Sequence, residues 1–323
     1  MKQLLTILGV ALIVASCNTK YDKTASGLAY KVIGDSKQKL KQGDIVKFNW
    51  RAKINGKDTI LFSSYDHLPE YLPFDTTARK SHDFTEVLKF VGVGDSIVAV
   101  AQIDTLVKMG GLQYSDVFKK GDQITYNVKV LKVFANQQET MQDQQQEIEK
   151  EKQKETAAIE AALKKKGVKA EKTPNGAFIA VSNPGDATLK AAPGKLITVN
   201  YKGSLLENGK VFDSNTDPSH GHVEPFQFVV GSGQTIRAWD DAFPYLGKGG
   251  KGTIYAPALL GYGPSGKPPV IPPYAIMVFE VEVTNVADAP QQQQMPAGMD
   301  PRQLGNPGQQ QGNPGNQQAP PGH

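Results

Sequence analysis

Between residues 201 and 279 the chain gathers residues suited to enclosing an apolar group and carries almost nothing suited to covalent chemistry. Tyr201, Phe212, Phe226, Ile236, Trp239, Tyr262, Ile271 and Phe279 are aromatic or aliphatic, and Asp213 is the one carboxylate among them. There is no phosphate-binding glycine loop, no His-Glu-x-x-His and no nucleophile elbow, so kinase, nuclease and hydrolase readings have no support. His220-Gly221-His222 offers two imidazoles without a Cys or acidic cluster, too few ligands for a closed metal site, and no metal or cofactor is expected. Taken singly, each apolar residue reads as plain core, Trp239 included. Asp213 taken singly reads as a turn former that bonds nearby backbone N–H groups.

The elements that would hold these residues follow from periodicity. Ile197, Val199 and Tyr201 alternate with Thr198, Asn200 and Lys202, which predicts a half-buried strand. Met277, Phe279, Val281 and Val283 repeat that pattern near the end of the segment. Between them Ile236, Trp239, Phe243 and Leu246 share one face of a predicted helix. A curved antiparallel sheet wrapped on one short helix accounts for this order and is an α+β arrangement.

Six separated motifs, in order, carry a resemblance. They are Val199-Asn200-Tyr201-Lys202-Gly203, Gly209-Lys210-Val211-Phe212-Asp213-Ser214, Pro225-Phe226-Gln227-Phe228, Ile236-Arg237-Ala238-Trp239, Pro257-Ala258-Leu259-Leu260-Gly261-Tyr262-Gly263, and Val270-Ile271-Pro272-Pro273-Tyr274-Ala275 with Phe279. Over roughly a third of the chain this resembles the FKBP-type peptidyl-prolyl cis/trans isomerases, the macrolide-binding immunophilins. The resemblance implies that Trp239 floors a proline pocket walled by Tyr201, Phe212, Phe226, Ile236, Ile271 and Phe279. It implies that Asp213 bonds the Tyr201 hydroxyl at the pocket edge. The Tyr262 hydroxyl and the Ile236 N–H would bind substrate carbonyls. Departures lie at the rim. Ala238 stands where the family has Gly, the Ser214–Glu224 loop is long, and Lys267 stands where the minimal member has His.

A second, weaker copy precedes the first. Gly43-Asp44-Ile45-Val46-Lys47-Phe48-Asn49-Trp50 parallels Gly194 to Tyr201, and Tyr126 to Val130 parallels Phe279 to Val283. One repeat pair is a duplication rather than a solenoid. Here Trp50 takes the Tyr201 position, Ser63 the Asp213 position and Phe84 the Trp239 position. The Leu-Gly-Tyr-Gly and Ile-Pro-Pro runs are missing, so a degenerate copy without isomerase activity is expected.

The organisation that results has five parts in 323 residues. Residues 1–17 read as a lipoprotein signal: Lys2, an apolar run from Leu4 to Ala15 too short to span a bilayer, then Val14-Ala15-Ser16-Cys17, with Cys17 the lipidated residue and the chain's only cysteine. The alternative is an ordinary secretory signal with an incidental Cys. Residues 21–135 are the degenerate domain and 168–287 the catalytic one. Between them, 136–167 predict a polar helix of about 45 Å, stopped at Gly167 and serving as a solvated spacer; an Ile159, Ala162 and Leu163 stripe leaves dimerisation open. Residues 288–323, rich in Gln, Pro and Gly, are expected to be disordered. The net charge of +4 is too small and dispersed for a nucleic-acid binder. Expected partners are proline-containing unfolded or flexible polypeptides, macrolide inhibitors and, through the lipid, a membrane. The expected place is the bacterial cell envelope, on the outer membrane facing either the periplasm or the cell surface. The expected function is isomerisation assisting envelope-protein folding; the alternative is a holdase chaperone or adaptor that uses the same domains to bind peptides.

Overall fold

The computed structural model describes residues 20–57, 60–77 and 81–289, so Cys17 with its signal, and the tail beyond Ala289, lie outside the described residues. The described chain opens with β1 (Asp22–Lys23), β2 (Ala29–Ile33), β3 (Ile45–Ile54), β4 (Ile60–Ser63), β5 (Glu70–Pro73) and β6 (Ser96–Gln102). Then come α1 (Ile103–Lys108), β7 (Gln123–Phe134) and the long α2 (Gln137–Lys166). The second half holds β8 (Glu171–Lys172), β9 (Phe178–Asn183), β10 (Lys195–Leu205), β11 (Val211–Ser214) and β12 (Phe226–Val229). It ends with α3 (Arg237–Ala242), β13 (Lys251–Ala256) and β14 (Met277–Asp288).

Two antiparallel sheets share one topology. The first runs β1-β2-β6-β7-β3-β4 with β5 also on β3; the second runs β8-β9-β13-β14-β10-β11 with β12 also on β10. The long strand of each sheet serves two short partners in turn: Leu196–Val199 of β10 pairs with β12, and Lys202–Ser204 pairs with β11. Each long strand shifts register twice, at Thr198/Val199 and Gly203/Ser204 in β10 and at Lys47/Phe48 and Ala52/Lys53 in β3. Such bulges bend a strand and sharpen its twist, which curls the sheet around what packs on its inner face.

That inner partner is α3 in the second domain. It is shorter than the 236–246 spacing suggests: Ile236 is its N-cap, the α-helical part ends at Ala242, and Phe243–Tyr245 continue as a 3-10 turn. Pro244 lacks the N–H that another α-turn would need. Even so, Trp239, Phe243 and Leu246 are all buried against Ile197, Val199, Phe228, Phe279 and Val281. In the first domain a 3-10 segment, Phe84–Phe90, replaces α3 and buries Phe84, Val87 and Leu88.

Helix α2 is bounded as its sequence asks. Asn136 caps it by accepting from the Glu139 N–H, and Gly167 closes it at φ 64°, returning its N–H to Leu163 and Lys164 carbonyls. It is not a solvated spacer. Ile159 and Leu163 pack on Phe178, Tyr255 and Val278 of the second sheet, so these two residues of the stripe left open for dimerisation are covered by the chain itself. Its first half docks on the first sheet, where the Lys47 ammonium meets Asp143 at 2.5 Å and Glu147 at 3.1 Å, and the Tyr71 hydroxyl donates to Asp143.

Candidate active site

Trp239 leaves α3 toward the curled sheet and is 5% exposed. Rings close on it from several sides, with centroids at 5.3 Å for Tyr201, 5.2 Å for Phe279, 5.4 Å for Phe243 and 6.2 Å for Phe226, all edge to face. Phe228 lies tilted beneath it at 5.6 Å. Edge-to-face packing places positive ring edges on negative ring faces, so the cluster holds its geometry without a hydrogen bond. The indole Nε1 is buried and has no partner. Phe212, from β11, meets Phe279 at 5.7 Å and 83°.

Gly203 makes that last contact possible. A Cβ built there would stand 2.7 Å from Phe212 Cε2 and Cζ and 3.0 Å from Phe279 Cε1. The equivalent position of the first sheet, by register, is Ala52.

The carboxylate sits at the rim. The Tyr201 hydroxyl donates to Asp213 Oδ2 at 2.7 Å, and His222 Nε2 stands 2.9 Å from Asp213 Oδ1. Burial works to raise the Asp213 pKa, but the hydrogen bonds from Tyr201, His222 and the Ser214 N–H outweigh it and hold the carboxyl below its usual range. Burial and then the bond to Asp213 push the Tyr201 phenol well above its ordinary value. At neutral pH the pair is therefore a carboxylate fixed by a neutral phenol. A carboxylate held below its usual range is a poor proton acceptor, and what it offers chemically is a fixed negative charge.

The remaining expected residues lie around this cluster. Ile236, at the α3 N-cap, and Ile271, 2% exposed, pack into the same apolar core as Trp239. Tyr262 is 36% exposed on the loop after β13, with the Lys267 ammonium 5.7 Å from its ring centre. The loop is tied by paired backbone bonds between Lys267 and Ile271 and by Tyr274 N–H to the Gly263 carbonyl at 2.9 Å. Gly266 is required there: at φ 59° its Cβ would fall 2.4 Å from the Ile271 carbonyl oxygen.

His222, which the sequence marks only as one of two imidazoles too few for a metal site, joins the rim. Its part in the rim shows only because the long loop after Ser214 folds back before Phe226. The first-domain alignment also needs correction. Ala52 pairs with Phe62 where Gly203 pairs with Asp213, and Ser64, which bonds the Trp50 N–H, takes the place of Asn215, which bonds the Tyr201 N–H. Phe62, not Ser63, therefore stands at the Asp213 position. Strand register puts Phe62-Ser63-Ser64 one residue out of step with the similar run Phe212-Asp213-Ser214, and the effect is large. Phe62 stacks on Trp50 at 4.5 Å, and Phe84 fills the other side at 5.4 Å from Trp50 and 5.7 Å from Tyr126. The contacts of Phe84 with Trp50 and Tyr126 repeat those of Trp239 with Tyr201 and Phe279, so what sets the first domain apart is an aromatic ring, Phe62, where the second has the Asp213 carboxylate.

A separate cleft of about 1300 Å³ runs between α2 and the second domain. It is bordered by Gln145, Glu149, Lys152 and Asp241 among others, and lacks the ring cluster that would suit a proline.

Comparison with known proteins places the second domain. Residues 187–284 match the family described as FKBP-type peptidyl-prolyl cis-trans isomerase. The chain is 44% identical over 104 residues to FK506-binding protein 1 of Kluyveromyces lactis, covering 32% of this chain and 87% of that protein. It is 43% identical over 97 residues to an FK506-binding protein of Neisseria meningitidis, covering 30% of this chain and 84% of that one. The peptidyl-prolyl cis-trans isomerase FPR2 of Saccharomyces cerevisiae is 42% identical over 104 residues, 32% of this chain and 74% of its own. The crystal structure of AtFKBP13 aligns over 37% of this chain and 99% of its own at 32% identity, with a TM-score of 0.33. With relatives this similar covered over most of their length, the chain belongs to the FKBP-type peptidyl-prolyl cis-trans isomerases.

Proposed function

We propose that the second domain rotates X-Pro amides in the ring cluster over Trp239 and that the first domain does not. The observation that carries this is the contrast between the two clusters. In the second domain Trp239 is ringed by Tyr201, Phe226 and Phe279, and Tyr201 carries the Asp213 carboxylate; in the first, Phe84 stands in the place of Trp239 and the Phe62 ring lies on Trp50 where the carboxylate would be.

The barrier to rotation is about 20 kcal/mol because the amide is conjugated. Twisting the C–N bond ends the conjugation and leaves a less polar carbonyl. An apolar cup binds the twisted amide better than the planar one, and contact with the proline ring supports the distortion. In this reading Trp239 is the floor, and Tyr201, Phe212, Phe226, Ile236, Ile271 and Phe279 are the walls. The Ile236 N–H and the Tyr262 hydroxyl hold flanking carbonyls while the amide turns. Asp213, fixed by Tyr201 and His222, supplies a constant negative potential at the rim without exchanging a proton.

The substrates are proline-containing segments of unfolded or flexible polypeptides, and a macrolide such as FK506, for which the relatives are named, competes for the same cup. Lipidation at Cys17 would hold the enzyme on the cell envelope, where it assists the folding of envelope proteins. Exchange NMR on a short X-Pro peptide with the full chain tests the assignment. Trp239→Ala abolishes acceleration and Phe84→Ala does not. Equal loss in both, with folding intact, would place the chemistry elsewhere.

A further inference from the structure

Three parts of the chain meet behind the loop that carries Tyr262 and Ile271. From the first domain, the His67 ring lies flat on the Tyr274 ring, with centroids 3.9 Å apart and planes 5° apart. His67 Nδ1 also bonds Glu151 Oε1 of α2 at 2.9 Å. One residue earlier, the Asp66 carbonyl accepts from the Lys154 ammonium of the same helix. One turn along α2 from Glu151, Glu155 turns into the second domain, where its Oε2 accepts the Leu259 N–H at 3.3 Å.

Glu155 is 3% exposed, and its other oxygen has no partner. Burying a carboxyl for a single backbone hydrogen bond is costly, so the contact is maintained by the docking around it rather than by its own strength. What it holds is specific. Leu259 is bound from both sides, its N–H by Glu155 and its carbonyl by the Arg237 guanidinium at 2.5 Å, and Arg237 directly follows Ile236. Tyr274 is held in the left-handed region at φ 56°, uncommon for a residue with a side chain, three residues after Ile271. Leu68 of the first domain borders the same cleft as Leu259 and Pro264.

We propose that the first domain, through His67 and with α2 as its strut, is a brace that positions the substrate-facing loop 257–274 of the second domain. This rests on the reading of Tyr262 and Ile271 as substrate-facing groups. A fold copy that has Phe62 and Phe84 where the other has Asp213 and Trp239 has become a structural partner of the copy that keeps the carboxylate and the tryptophan. His67, Glu151 and Glu155 are positioning residues: none touches the ring cluster, and each acts through Tyr274 or Leu259.

The test uses the full chain with two readouts, amide hydrogen exchange across residues 257–274 and the separate kcat and KM for an X-Pro peptide. His67→Ala removes the stack and the bond to Glu151. Exchange in the loop rises while β10 and β14 stay protected, and KM rises about two- to tenfold, the range an aromatic pair supplies, with kcat less affected. His67→Phe keeps the stack and restores most of both. Glu155→Ala, which touches neither sheet's core, frees the Leu259 amide to exchange and covers the case in which His67→Ala loosens the first sheet as a whole. Loop exchange and KM unchanged in both alanine variants would overturn the brace. Because exchange is read without catalysis, an inactive chain with a loosened loop would refute the assigned chemistry and leave the brace standing.

Discussion

Gly203→Ala is the smallest change that should close the ring cluster. The new methyl would lie 2.7 Å from two carbons of Phe212 and 3.0 Å from one of Phe279, against about 3.5–4.0 Å for carbon atoms in ordinary contact. The rings must therefore separate by roughly 1 Å from the methyl to relieve contacts of this kind. Phe279 is 4% exposed in a strand paired on both sides, so it cannot retreat. Phe212, on the short strand β11, yields first and swings into the cup. Overpacking of this kind costs about 1–3 kcal/mol, offset by up to about 1 kcal/mol because Ala loses less backbone entropy than Gly on folding. The net fall in stability is roughly 0–3 kcal/mol, up to about 10–15 °C in Tm for a domain of this size. Catalysis is more sensitive, since a displacement of about 1 Å near reacting groups can cost roughly a hundredfold. The expected outcome is kcat/KM for an X-Pro peptide reduced at least tenfold in a chain that remains folded by circular dichroism. Wild-type kcat/KM in Gly203→Ala would show that Phe212 and Phe279 do not bound the substrate as argued.

Glu155 gives a pH dependence of defined sign. Burial first, then the nearby Glu151, pushes its carboxyl from 4.5 up to about 7, so the folded chain prefers the protonated form. Its contribution to stability is fully present below about pH 4.5 and is lost as pH rises through about 7. A shift of that size corresponds to about 3 kcal/mol, and solvent in the adjoining cleft reduces it to about 2 kcal/mol. Glu155→Gln keeps an acceptor for Leu259 and never ionises, so urea unfolding should show it more stable than wild type by a margin that widens between pH 5 and 8.5; a constant margin would count against the buried-acid assignment. His222→Ala removes one of the two side-chain donors to Asp213, so the Asp213 carboxyl should titrate at higher pH by carbon-detected NMR, and kcat/KM should fall by a small factor; an unmoved titration would mean that His222 does not bind Asp213 in solution.

Much of the fold is legible because strand alternation and short-range motifs report local geometry. Ile197, Val199 and Tyr201 alternate and lie on one long strand; Gly167 follows the last helical lysines and ends α2. The helix around Trp239 is legible as an apolar face but not in length, because Pro244 breaks the ladder while leaving Phe243 and Leu246 buried. What escaped depends on long-range packing. Ile159 and Leu163 are too few to announce a docked helix, and their partners Phe178, Tyr255 and Val278 come from distant strands. The pairing that puts Phe62 at the Asp213 position is a matter of strand register, which alignment of the similar runs Phe62-Ser63-Ser64 and Phe212-Asp213-Ser214 does not reveal. His222 looked idle beside His220 because the loop's path, not its composition, carries it back to Asp213.

The two tryptophans of the chain fall one in each ring cluster. Trp239, buried with an indole N–H that has no partner, sits in a medium with little solvent relaxation and should emit at short wavelength. Trp50 is stacked at 4.5 Å on Phe62 and half-exposed, and should emit further to the red. Each domain thus contains its own fluorophore. Replacing either tryptophan by Phe isolates the light of the other, so occupancy of the cup and unfolding of the companion sheet can be followed separately in one unlabelled molecule.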